Sequence, residues 1–166
     1  MTRFFSFLLV LVLCLTMAGC GSGQERVIDP VAFYYPYAEM PFGSDEGIIV
    51  PEVRESSGHR DNLPYLLALY QMGPSSDELH SPLPSGVRIQ AVERDGQRIN
   101  LTLGDQNGVM TDTRFTIASA CLAMTCLELT EAKTIVVTCG SRVSSMNRDN
   151  LVFQDTVKTP ATEETS

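Results

Sequence analysis

Two stretches of strict alternation, at residues 87–91 and 99–103, limit most strongly what this chain can fold into. Apolar side chains take every second position in each stretch, with polar or charged side chains between them. Successive side chains of a strand point to opposite faces of a sheet, so each stretch predicts a strand with one buried face. Asp95-Gly96 lies between the stretches and is a strong signal for a tight turn. The sequence therefore predicts a β-hairpin that packs one face against the rest of the fold.

A first helix is predicted before the hairpin. Asp61 or Asn62 can cap it, Pro64 suits its first turn, and Gly73-Pro74 ends it. Four apolar side chains recur at helical spacing and predict a face packed in the core: Leu63, Leu66, Leu67 and Tyr70.

A second helix is predicted after the hairpin, from Thr111 or Asp112 to Leu129. It is apolar almost all round, which predicts deep packing. The β-branched run at residues 134–138 predicts a central strand, and residues 151–153 a last short strand.

Two extended segments precede the first helix. Residues 31–37 are β-branched and aromatic, and residues 47–54 contain Pro51, which indicates an edge strand. The acids Glu52 and Glu55 are expected to discourage that edge from pairing with a copy of itself. Strands and helices thus alternate, which predicts an α/β (α+β) fold: a two-layer sandwich with two helices packed on one mixed sheet.

The start of the chain has the features of a bacterial signal sequence. Arg3 precedes an apolar run at residues 4–18, shorter than the roughly 20 residues that a membrane-spanning helix needs. The run ends in Met17-Ala18-Gly19-Cys20, which resembles the lipobox of bacterial lipoproteins. In those proteins signal peptidase II cleaves before a diacylglyceryl-modified cysteine, so lipidation is predicted at Cys20.

The predicted organisation follows from this cleavage site. Residues 1–19 are the signal peptide, 20–29 a lipidated tether, 30–157 the domain and 158–166 a disordered tail. A fully extended tether reaches only about 30 Å, so the domain is expected close to the outer face of the bacterial cell membrane, outside the cytoplasm.

Charge excludes one class of partner. Removal of residues 1–19 takes away Arg3 and no acid, so the net charge of −8 becomes −9. Proteins bind the phosphates of nucleic acids through clusters of Lys and Arg, so an acidic chain is not expected to have a nucleic-acid partner. Repulsion between such acidic copies predicts a monomer in dilute solution, with membrane contact through the Cys20 lipid and an unidentified envelope protein as partner.

Three cysteines remain after Cys14 and Cys20 are set aside. Cys121 and Cys126 point about 140° apart on a helix and cannot bond each other. Either could bond Cys139, but buried free thiols explain the set more simply.

Catalytic and cofactor sites are not predicted. His59 and His80 lie in loop-like sequence without a neighbouring ligand, which indicates surface residues. No nucleophile motif, metal motif or phosphate loop occurs in the sequence. Residues 105–108 are faintly similar to a calcium loop, but the glycine comes too early and no Glu closes it.

An aromatic cluster at Phe33, Tyr34, Tyr35 and Tyr37 has two readings. The rings could stack on the sugars of cell-wall glycan. A strand covered on both faces explains the same cluster more simply.

Four segments, in order, resemble the GerMN domain of spore-germination and sporulation proteins. They are Tyr34-Tyr35-Pro36 with residues 48–52, residues 66–74 ending in Met-Gly-Pro, residues 81–89 with Ser-Pro-Leu-Pro-x-Gly, and residues 125–129 leading into 135–137. The resemblance spans about residues 31–156.

This resemblance implies a non-enzymatic assembly module with a fold similar to ring-building motifs, often carried by envelope lipoproteins. The chain departs from the pattern in having one copy, and Thr130-Glu131-Ala132 where Pro-Gly often follows the second helix. The function expected is a protein-interaction module of sporulation or germination, and the alternative is a peptidoglycan-binding module.

Overall fold

A computed structural model describes residues 29–39 and 48–151 of the chain. The elements in chain order are β1 (Pro30–Pro36), β2 (Ile49–Glu55), α1 (Leu63–Tyr70), β3 (Val87–Asp95), β4 (Arg98–Asp105), α2 (Asp112–Leu129), β5 (Thr134–Cys139) and β6 (Arg142–Asn147), followed by a 3₁₀ turn at Arg148–Asn150.

The larger sheet has four strands in the order β3-β4-β5-β6. β4 and β5 run parallel, and the other neighbours run antiparallel. The predicted hairpin is confirmed, with Asp95 opposite Arg98 and a bulge between Ile89 and Ala91. The predicted strand at 134–138 is confirmed as the internal strand β5. The buried face of this sheet is formed mainly by Ile99, Leu101, Leu103, Ile135 and Val137.

The smaller sheet consists of β1 and β2 in antiparallel register. The predicted α+β class, with two helices packed against mixed strands, is confirmed, but the strands form two sheets where one was expected. On the side of β1 away from β2, α2 takes the place of a further strand, and the Tyr34 N–H donates to Thr125 Oγ1 of α2 at 3.0 Å. A helix side chain thus satisfies the group that a further strand would have paired.

Helix α1 forms as its sequence predicts. The Asn62 side chain accepts a hydrogen bond from the Tyr65 N–H, and Pro64 lies in the first turn, where its missing N–H costs nothing. Leu66, Leu67 and Tyr70 are buried in the core.

Helix α2 is capped by Thr111, whose hydroxyl accepts from the Arg114 N–H. The expected burial on almost every side is confirmed, because α2 contacts β1 of the small sheet as well as β5 and β6 of the large one. Its central residues 118–119 and 121–127 are buried. The helix therefore joins the two sheets into one core.

Strand β6 was not predicted. Its side chains are mostly polar, and its most apolar exposed residue, Val143, faces away from the helices opposite Thr138. The last strand was expected at 151–153 instead. Leu151 follows the 3₁₀ turn outside any strand, and residues 152–153 lie outside the described residues.

The predicted signal peptide, Cys20 and the disordered tail also lie outside the described residues. Among the residues that are described, no helix has the length and apolar character needed to cross a membrane.

Candidate functional site

The aromatic residues of β1 belong to the core. Phe33, Tyr34 and Tyr35 are buried, which confirms the reading as a strand covered on both faces. Tyr37 is half-buried where β1 meets Leu79 in an isolated bridge. Buried rings cannot stack on a sugar, so the aromatic surface needed for glycan binding does not exist at these three positions.

Glu52 and Arg54 of β2 bring together two of the segments that resemble the GerMN domain, residues 48–52 and residues 66–74. The Glu52 carboxylate accepts from the Ser75 and Ser76 N–H groups, at 2.7 and 3.0 Å, and from Arg54 Nε at 2.8 Å. Arg54 also donates to the Gly73 carbonyl at 2.6 Å and lies over the rings of Phe33 and Tyr35. The ion pair thus fixes the turn after α1 against β2.

The same ion pair corrects one expectation about the edge of β2. Glu52 is only 12% exposed and faces the turn, so it does not repel an approaching strand. Pro51, opposite Tyr34, does lie on the edge strand of the two-stranded sheet, as predicted. Pro51 lacks an N–H, and Glu55 remains exposed beside it, so these two residues blunt the edge.

The connector at residues 81–86 is fixed by its glycine. Gly86 has φ +93°, and a Cβ there would lie 2.6 Å from Asn107 Nδ2. Leu83 and Val87 on either side are buried. Glycine is favoured at this position because it adopts the positive φ readily and leaves room for the loop before α2. The Ser-Pro-Leu-Pro-x-Gly motif therefore has a structural role.

The loop with faint similarity to a calcium site is held by its own backbone. Asp105 accepts from the Met110 and Val109 N–H groups at 2.9 and 3.0 Å. These bonds, the Met110 bond first, hold the pKa of the Asp105 carboxyl below its usual range. Both carboxylate oxygens are therefore already engaged by donors, and the loop acts as a turn that leads into α2.

Cys121, Cys126 and Cys139 are buried free thiols, which confirms the simpler of the two readings. Burial raises the pKa of Cys126 to about 12 and raises that of Cys121 also. A buried thiol with a raised pKa is a poor nucleophile at neutral pH, which favours a packing role for these side chains.

Both histidines are exposed, as predicted. The His59 ring lies 4.3 Å from the Tyr65 ring. His80 Nδ1 is 3.0 Å from the Tyr37 carbonyl oxygen. A carbonyl only accepts, so Nδ1 carries the hydrogen and the ring is held at the end of β1.

A cleft of about 370 Å³ lies between residues 80–85 and the first turns of α2, where Arg114 and Ile117 line it. We call it the connector cleft. His80, Ser81 and Ser85 supply its other polar side chains, and its lining holds no carboxylate. The connector cleft was not predicted, because nothing in the sequence indicates that Arg114 lies beside a segment about thirty residues earlier in the chain.

Comparison with solved structures finds the tandem GerMN domains of the sporulation protein GerM from Bacillus subtilis. The TM-score is 0.46 at 16% sequence identity, covering 74% of this chain and 43% of that chain. It also finds a predicted lipoprotein from Clostridium perfringens, with a TM-score of 0.44 and 11% identity over 72% of this chain and 87% of that one. The chain thus spans less than half the length of the GerM structure. No family model and no curated protein matches the sequence.

Proposed function

We propose that this chain is a lipoprotein of the bacterial cell envelope that acts as a non-enzymatic interaction and assembly module, in sporulation or spore germination. The observation that carries the proposal is the Met17-Ala18-Gly19-Cys20 tetrapeptide at the end of a short apolar run. Acyl chains on Cys20 add about 0.8 kcal/mol per buried CH₂, so two or more chains make anchoring stable.

The point where the tether enters the domain supports this arrangement. The Asp29 backbone carbonyl accepts from the Ser56 N–H at 3.1 Å, and the Ser56 hydroxyl donates to the Asp29 carboxylate. Arg60 Nη1 donates to the Pro30 carbonyl at 2.9 Å. Asp29, the last residue of the predicted tether, is therefore fixed to the domain. The domain would work within a short distance of the membrane.

Structural roles for the reactive side chains favour interaction over catalysis. The buried thiols pack against the core, and the Asp105 carboxylate binds backbone N–H groups. Three of the four aromatic rings that the peptidoglycan alternative would use, Phe33, Tyr34 and Tyr35, are buried in β1. What the domain offers a partner is its surface.

A first test is fractionation of cells that produce the Cys20→Ala variant. The wild-type chain should sediment with membranes and dissolve in detergent, and the variant should be released or remain an unprocessed precursor. A normally processed Cys20→Ala chain that still sediments with membranes would refute lipid anchoring.

The blunted β2 edge and the acidic charge lead us to propose a monomer in dilute solution that assembles only with a partner. Sedimentation of unlipidated residues 20–166 at micromolar concentration and low salt should give the monomer mass. A stable ring or dimer would instead make self-assembly the main activity. Crosslinking in intact cells, followed by mass spectrometry, would identify the partner.

A further inference from the structure

Charge is distributed unevenly among the surface clefts of the described residues. Three other clefts each hold three carboxylates: Glu39, Asp77 and Glu78 in one, Glu128, Glu131 and Asp149 in the next, and Asp61, Glu128 and Glu131 in the third. The second and third of these also contain two cations each, Lys133 with Arg148 and Arg60 with Arg94. The connector cleft holds none and contains Arg114 and His80. A smaller cleft of about 230 Å³ on the other side of the connector also lacks an acid and contains Arg88. In a chain of net charge −8, this acid-free cationic region stands apart.

The Arg114 guanidinium is available to a ligand. Arg54, Arg60 and Arg142 form ion pairs with acidic side chains, whereas Arg114 forms none within the part of the chain that the structure describes. Arg114 makes one long contact inside the fold, from Nη1 to the Val109 carbonyl at 3.5 Å. Asp112, the nearest acid on its helix, pairs with Arg142 at 2.7 Å. Since an arginine fork matches the geometry of phosphate and carboxylate oxygens, an oxyanion is the complementary ligand.

The other groups around the cleft favour the same class of ligand. Arg114 lies in the first turn of the 18-residue helix α2, whose positive dipole end attracts an anion. His80 is oriented by its bond to the Tyr37 carbonyl, and its Nε2 becomes a donor when the ring is protonated. Ser85 is exposed on the opposite wall and can donate its hydroxyl hydrogen.

We propose that the connector cleft binds a phosphate or carboxylate group, with Arg114 as the principal contact, Ser85 as an additional donor and His80 as a further donor in its protonated form. The volume of about 370 Å³ accommodates a group that is part of a larger molecule. Binding of an anion in the connector cleft does not depend on lipid at Cys20.

The position of the cleft argues against lipid headgroups as the source of the anion. His80 is bound at Tyr37, just past the end of β1, whereas the chain enters the domain at Asp29, before its start. Seven strand residues at about 3.3 Å each separate the two ends by roughly 23 Å. A soluble or partner-borne anion reaches this end of β1 in any orientation of the domain, whereas a lipid headgroup reaches it only when that end turns towards the membrane.

Titration of unlipidated residues 20–166 with inorganic phosphate, followed by amide NMR, tests the proposal. We expect saturable shifts at the amides of the non-proline residues in 80–85 and at those of residues 111–117. Arg114→Gln should weaken binding about tenfold, a change of about 1.4 kcal/mol, and His80→Asn, which can still donate to the Tyr37 carbonyl, should weaken it less. Arg98→Gln removes the same charge from an exposed position on β4 and serves as the matched control.

Further arms of the titration identify the ligand. Acetate in place of phosphate shows which oxyanion the cleft prefers, and saturable binding of either one supports the proposal. The proposal would be overturned if chloride at equal ionic strength produced the same shifts. It would also be overturned if Arg114→Gln and Arg98→Gln changed the shifts equally. Binding to phosphatidylglycerol vesicles without binding to free phosphate or acetate would also overturn it, because it would assign the cleft to the membrane surface.

Discussion

Tyr35 and Tyr70 stack with ring centroids 4.7 Å apart and ring planes within 5° of parallel. Each hydroxyl donates to the backbone of the other element: Tyr35 Oη to the Tyr70 carbonyl at 3.0 Å, and Tyr70 Oη to the Tyr34 carbonyl at 3.1 Å. The pair thereby joins α1 to β1 through two buried hydrogen bonds, in addition to the stacked rings.

Tyr70→Phe should destabilise the fold by about 1–2 kcal/mol, because it keeps the ring and leaves the buried Tyr34 carbonyl without this donor. Tyr65→Phe, on the exposed side of the same helix, should change stability by less than about 0.5 kcal/mol. Urea unfolding of both variants gives the comparison. Equal midpoints for Tyr70→Phe and Tyr65→Phe would contradict the structural role of the Tyr70 hydroxyl.

Thr125→Val should destabilise the fold by about 1–3 kcal/mol. The valine has nearly the same shape but cannot accept from the Tyr34 N–H, so a buried donor loses this acceptor. Thr116→Val is the matched control, since the exposed Thr116 hydroxyl donates only to the Asp112 carbonyl of its own helix. Thermal unfolding should separate the two variants. If they melt together, Thr125 does not hold β1 to α2.

Glu52→Gln should cost about 1.5–3 kcal/mol, because one carboxylate accepts three hydrogen bonds and an amide group presents a donor to some of the same partners. Glu55→Gln makes the same change at an exposed position on β2 and should be nearly neutral. Hydrogen exchange should also speed up at the Ser75 and Ser76 amides in Glu52→Gln. Unchanged exchange at these amides would show that Glu52 does not fix the turn.

Stability should fall in alkaline solution. Burial raises the pKa of Tyr70 well above its ordinary value of 10.0, raises that of Tyr35 too, and raises that of Cys126 from 9.0 to about 12. A group with a raised folded-state pKa stabilises the fold fully below its unfolded pKa. That contribution is lost as the pH rises towards the folded pKa.

The midpoint of thermal unfolding should therefore be lower at about pH 10.5 than at about pH 7, where these groups are neutral in both states. Tyr70→Phe removes one of the groups and should show a smaller decrease over the same range. A midpoint that does not change between the two values would contradict neutral burial of these side chains.

Local signals in the sequence predict much of this fold. Alternation around Asp95-Gly96 defines the β3–β4 hairpin, and capping residues with helical spacing define α1 and α2, because these patterns reflect neighbours along the chain. Contacts between distant residues have no such signal. The Tyr34–Thr125 bond, which joins β1 to α2 on the side where a further strand would pair, links positions 91 residues apart.

Strand β6 shows a second limit of the sequence pattern. On the helix side it places Arg142, which reaches Asp112, together with Ser144 and Met146, so alternation of apolar residues is lost. The connector cleft also could not be predicted from the sequence pattern. The Ser81–Gly86 motif stands out in the sequence, but its relation to Arg114 depends on how α2 packs.

Lipid anchoring at Cys20 is the central claim, and the intact mass of the chain purified from cell membranes tests it most directly. The account predicts a chain that begins at Cys20 and carries a diacylglyceryl group on that residue. A chain that keeps residues 1–19, or one that begins elsewhere with an unmodified cysteine, would contradict it.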